Sequence, residues 1–86
     1  MESEKIIFEP TIAGKRMPLR IEKEQEPVHR EANELLNKRY TMYAELNEAG
    51  LPKEDILAMT AYSLAVQVID LKNLWTMNVK NQNGER

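Results

Sequence analysis

Eighty-six residues with a net charge of −2, from 12 basic and 14 acidic side chains, define one small domain and exclude a strongly basic field for gripping a phosphate backbone. A 42% hydrophobic, 30% charged composition is globular rather than disordered, and the lack of cysteine excludes disulfide staples and Cys-rich zinc sites. No stretch supplies the ~20 apolar residues of a membrane span and MESEK has no secretory apolar core, so a cytoplasmic chain is expected.

Residues 5–12 read as a strand, with Ile6, Ile7, Phe8 and Ile12 giving β-branched and aromatic character. Pro10 cannot donate a ladder hydrogen bond, which places this segment at an edge or an irregularity. Ala13-Gly14-Lys15-Arg16 predicts a turn, and Met17, Leu19 and Ile21 alternate with Pro18 and Arg20 in a second strand. Two strands alone are marginal in water, so the hairpin must pack on a helix or pair with another chain.

A charged connector over residues 22–26 leads to Pro27, which suits a first helical turn. Val28, Ala32, Leu35, Leu36, Tyr40, Met42, Tyr43 and Leu46 mark the apolar face of a first helix, opposite Glu31, Glu34, Lys38 and Glu45. Glu34 and Lys38 form an i,i+4 pair worth ~0.2–0.5 kcal/mol. Ala49-Gly50-Leu51-Pro52 ends that helix near Glu48 and opens a second one, with Glu54 and Asp55 at its positive dipole end. With no glycine or proline before Gly84, the second helix is expected over residues 52–79, on the order of 40 Å long. Residues 80–86 read as a polar, fraying tail, and residues 1–51 as a small head.

Along the second helix, Leu57, Ala61, Leu64, Val68, Leu71 and Trp75 recur at spacings of four and three, the rhythm of a seam against another helix. Folding back on the first helix covers one stripe, but Ala58, Ala65, Val66, Ile69 and Leu74 flank the seam and call for more cover. Each buried Leu, Val or Ile contributes ~1.5–3 kcal/mol, so several exposed together favour a homo-oligomer. Trp75 lies where the rest of the chain is too short to reach, and is expected at the interface.

No residue set supports an enzyme. His29, the sole histidine, falls in a charged first turn and reads as a solvated surface residue. There is no cysteine nucleophile, no glycine-rich phosphate loop and no His/Asp/Glu spacing for a metal, so no catalytic, cofactor or metal site is expected. Adjacent Glu54 and Asp55 are accounted for by the helix dipole. From another class, a ribbon-helix-helix DNA-binding dimer also combines a strand with two helices. The hairpin, the long second helix and the acidic balance weigh against it, and a generic helical scaffold or adaptor is the other alternative.

Ile12-Ala13-Gly14-Lys15-Arg16 with Leu19-Arg20-Ile21, then residues 32–40 (ANELLNKRY), then residues 58–65 (AMTAYSLA), resemble in order the ZapA family of bacterial cell-division proteins. The resemblance covers residues 6–71 and departs from the family at Asn33, where a second alanine is usual. It implies an α+β fold: an N-terminal β-hairpin packed with one helix, followed by a long C-terminal helix forming an oligomeric coiled-coil or helical interface. It also implies a non-enzymatic, cytoplasmic homo-oligomer at the division site that binds and bundles FtsZ filaments. The seam ends close to Arg86, whereas the family's coiled coil usually continues, so a dimer is expected before a tetramer. Self-association would fall to Leu57, Ala61, Leu64, Val68, Leu71 and Trp75. Contact with an acidic filament would fall to Lys15, Arg16, Arg20, Lys38 and Arg39, although Arg39 also lies along the core stripe, where its stem can snorkel.

Overall fold

The computed structural model describes residues 4–82 of the chain. Four short strands open the fold: β1 (Lys5–Phe8), β2 (Thr11–Ile12), β3 (Lys15–Arg16) and β4 (Leu19–Glu22). β1 pairs antiparallel with β4 and β2 with β3, and one register runs from Lys5↔Glu22 to Ile12↔Lys15. The predicted hairpin is therefore present, but two prolines cut each arm in two. Met17 N–H donates to Pro10 C=O at 3.0 Å, and Pro10 has no N–H to return. Opposite Glu9 stands Pro18, which likewise cannot extend a ladder.

The tip is a two-residue connection in which Ala13 and Gly14 both take positive φ, 53° and 82°. This is the type I′ turn that matches the twist of a hairpin, with a non-glycine residue held in the left-handed region. Ala13→Asn is accordingly expected to raise stability by up to ~1 kcal/mol, because left-handed backbone costs an ordinary L-residue ~1–2 kcal/mol and asparagine tolerates that region. A higher urea midpoint at unchanged slope is the check; a lower midpoint would contradict the assignment.

Alternation gives the hairpin two faces. Ile6, Phe8, Pro10 and Ile12 with Met17, Leu19 and Ile21 form the inner face, where Pro10 and Ile21 are buried. Lys5, Ile7, Arg20 and Glu22 face out, and Lys5 and Glu22 form an ion pair at 3.6 Å. The expected charged connector is a 3-10 turn, Lys23–Gln25, running straight into α1 (Glu26–Glu45) with Pro27 in its first turn.

α1 presents only part of the face that hydropathy selects. Leu36, Tyr40 and Tyr43 of that face are half-buried, as are His29, Asn33, Asn37, Arg39 and Ala44, whereas Val28, Ala32, Leu35, Met42 and Leu46 are exposed. His29, expected in solvent, lies edge-on to Phe8 with ring centroids 5.8 Å apart. The reason is positional: His29, Asn33 and Leu36 share one side of the helix, and that side covers the hairpin's inner face around a cleft of about 140 Å³. Glu34 and Lys38 do not close to ion-pair distance; Arg30 and Glu26 do, at 2.9 Å.

α1 stops at Glu45, three residues before the expected end. A corner follows in which Asn47 Nδ2 donates to Leu51 C=O at 3.3 Å and Gly50 takes φ +72°. α2 spans Lys53–Gln82. Pro52 stands just before it, its carbonyl accepting from the N–H groups of Asp55 and Ile56 at 3.0 and 3.2 Å. The helix is longer than expected and takes in residues 80–82 of the anticipated tail; residues 83–86 lie outside the described part of the chain. A compact domain of this length has a radius of gyration of about 12 Å. The observed 17.3 Å, with extents of 51 × 42 × 14 Å, requires an extended shape in which α2 projects from the head.

Candidate functional site

The residues singled out from the sequence fall on two parts of the molecule, the flank of α2 and the head formed by the hairpin and α1. α1 meets α2 along Ile56, Thr60, Ser63 and Gln67. Ile56 is 5% exposed and Thr60 1%, with the Thr60 hydroxyl donating to Ile56 C=O at 2.8 Å. Arg39 of α1 reaches across to this row, donating from one guanidinium nitrogen to Ser63 Oγ at 3.0 Å and from the other to Gln67 Oε1 at 2.6 Å. Every residue of this row stands one position before a residue of the predicted seam. The seam therefore lies ~100° further round the helix, beside the α1 contact and not in it.

The seam residues divide accordingly. Leu57 and Leu64 are half-buried at the margin of the α1 contact, and Ala61 is exposed. Val68 is 61% exposed, Leu71 57% and Trp75 67%. On the opposite flank Tyr62, Ala65, Val66 and Ile69 line a shallow apolar groove with Asp70. Leu74 and Met77 are exposed as well. From Val68 to Met77 exposed apolar side chains alternate with Asp70, Lys72, Asn73 and Thr76 and lie on more than one stripe of the helix.

Of the five basic residues singled out from the sequence, three belong to the hairpin. Lys15 and Arg16 stand at its tip and Arg20 on its outer face beside Ile7; all three are exposed. Arg16 reaches Glu9 at 3.6 Å, an exposed pair worth little in water. Arg20 makes no ion pair among the described residues. Lys38 is exposed on α1, where it lines an open cleft with Asn33, Glu34, Asn37, Thr41, Met42 and Glu45. Arg39 is set apart, half-buried and engaged as the brace between the helices.

Asn37, which the sequence reading did not single out, joins these parts. Its Nδ2 donates to Thr11 C=O at 2.7 Å and to Asn33 C=O at 2.9 Å, while its Oδ1 accepts from Ala13 N–H at 3.4 Å. One side chain thereby ties the hairpin tip, with Lys15 and Arg16, to the turn of α1 that carries Lys38. Its sequence signal is weak: an asparagine four residues after another, on the side of a helix that also holds His29 and Leu36.

Among the described residues no group of His, Cys, Asp and Glu is placed to hold a metal, and no helix is long and apolar enough to cross a membrane. A family model described as cell division protein ZapA matches residues 10–82. No curated protein and no solved structure matches the chain.

Proposed function

The chain belongs to the cell division protein ZapA family, and from that membership we propose that it links FtsZ filaments, the head holding a filament while α2 joins one copy to another. As a member of the family it is a non-enzymatic accessory protein of cell division that binds FtsZ, and the family acts at the division site.

The observation that carries the linking role is the uncovered length of α2. Val68, Leu71, Leu74, Trp75 and Met77 are each more than half exposed in the single chain. A second copy seated on Leu57, Ala61, Leu64, Val68, Leu71 and Trp75 removes that surface from water, at ~25 cal/mol per Å². Small Ala61 lets the partner helix come close. Two heads on one dimer then hold two filaments through avidity, without any one strong contact.

For the filament surface we propose Lys15, Arg16 and Lys38, which Asn37 ties together at one end of the head, with Arg20 on the outer face of the hairpin, all facing an acidic partner. Arg39 contributes indirectly, by fixing how α2 leaves the head. Co-sedimentation with polymerised FtsZ is the test. Bound protein is expected to fall as salt rises, since exposed charges are screened within ~8–10 Å. Reversing Lys15, Arg20 and Lys38 together to glutamate should reduce binding at low salt severalfold while the fold, read by circular dichroism, is kept. Wild-type binding by this triple variant would remove the basic surface from the proposal.

A further inference from the structure

We infer that the outer edge of β1 pairs with a second copy of this chain, the two β1 strands running antiparallel with Ile7 opposite its own counterpart. The proposal uses the backbone edge of β1, not the α2 seam, and does not rest on the filament contact, although Arg20 stands beside Ile7 on the neighbouring strand.

The backbone provides the first argument. In an antiparallel ladder, pairs that exchange both hydrogen bonds alternate with pairs that exchange none. Lys23 N–H donates to Glu4 C=O at 2.8 Å and Met17 N–H to Pro10 C=O at 3.0 Å, in the same register as β1 and β4. Glu4, Ile6, Phe8 and Pro10 therefore bond inward, and the N–H and C=O groups of Lys5, Ile7 and Glu9 point away from β4. Among the described residues β1 pairs with β4 alone, so these groups have no strand partner. The other edge is blunted: Pro18 supplies no outward N–H, and the strand gives way to the 3-10 turn at Lys23. β1 has no proline at an outward position and an Ile-Ile-Phe sequence, a combination that natural edge strands avoid unless the edge is used.

Side chains then select the partner and the register. Lys5, Ile7 and Glu9 lie on the outer face in the order positive, apolar, negative, and Ile7 is 62% exposed. A two-fold axis at Ile7 sets Lys5 of each chain against Glu9 of the other and covers the isoleucines with each other. Moving the axis to Lys5 or to Glu9 places like charges opposite, as does a parallel arrangement, and like charges directly opposite are destabilising. On the inner face the same register places Ile6 against Phe8, a favourable β-branched and aromatic pair. The existing pairs Lys5–Glu22 and Glu9–Arg16, both at 3.6 Å, then join into rows of alternating sign across the two copies. Each hairpin becomes one half of a four-stranded sheet with the two β1 strands in the middle, which adds strand pairing to the cover given by α1.

Because the 86-residue chain has no cysteine, a single one reports the axis. Ile7→Cys is expected to form a disulfide dimer nearly completely on mild oxidation, its Cα lying ~5.5 Å from its counterpart. Arg20→Cys is a matched control on the same outer face, but its counterpart stands three strand spacings away, ~14 Å, and it should stay uncrosslinked. Crosslinking that is equal at the two positions, or absent at Ile7→Cys, would overturn the proposal. Hydrogen exchange on the wild type gives a second reading: the amides of Lys5, Ile7 and Glu9 should exchange more than ~10-fold slower than free ones. Ile7→Lys should release Lys5 and Glu9 while Ile6 and Phe8 stay protected; free exchange at Ile7 in the wild type would also refute the pairing.

Discussion

Val68→Glu is expected to abolish self-association through α2 and leave a folded head. Val68 is 61% exposed in the single chain, so a glutamate there costs the isolated subunit little. In a paired seam the same carboxylate loses its water without gaining a cation, at a cost of ~3–5 kcal/mol, which weakens association by more than ~100-fold. Sedimentation velocity should show a species near the 10.0 kDa chain mass where the wild type is heavier. Some helicity should be lost as well, because the part of α2 beyond Gln67 has no partner and isolated helices of that length are marginal. In mixtures with FtsZ the variant should still bind filaments singly but produce no bundles by light scattering. An unchanged oligomer mass, or bundling by a demonstrated monomer, would overturn the linking role.

Ile56→Ala should have the opposite signature, a loss of fold instead of assembly. Ile56 is 5% exposed at the start of α2, next to fully buried Thr60, in a subunit with few buried residues. Truncation of a buried isoleucine costs ~2–5 kcal/mol, against a total of ~4–13 kcal/mol for a domain of this length. A fall in urea midpoint by a third or more at unchanged slope is the expected result. Val68→Ala, which removes a side chain from the exposed flank, should leave the midpoint of the diluted single chain nearly unchanged. If the two variants shifted the midpoint equally, the division of α2 into an inner row and an outer seam would be wrong.

That division marks the boundary of what could be read without coordinates. The hairpin, its tip at Gly14, the two helices and the corner at Gly50 and Pro52 were all legible, because each depends on backbone preferences that act within a few residues. Family likeness was legible for the same reason, resting on short patterns in chain order. The inner side of α1 was not. Hydropathy places Val28, Leu35 and Met42 inside, yet the helix turns His29, Asn33, Asn37 and Arg39 inward. Asn37 and Arg39 find partners 24 to 28 residues away: Thr11 and Ala13 for Asn37, Ser63 and Gln67 for Arg39. A hydrogen bond across such a separation leaves no periodic trace.

By itself, then, the sequence determined the elements and their order, and that the second helix carries more than one apolar stripe. The tertiary structure alone decided which row of α2 faces α1 and that Arg39 braces the two helices instead of facing outward. It also decided that the basic residues of the hairpin tip are tied to α1 through Asn37. The physical reason is the same in each case. Backbone propensity and hydrophobic rhythm are local and repeat along the chain, whereas the choice between rows one residue apart depends on which distant polar groups find partners when the elements meet.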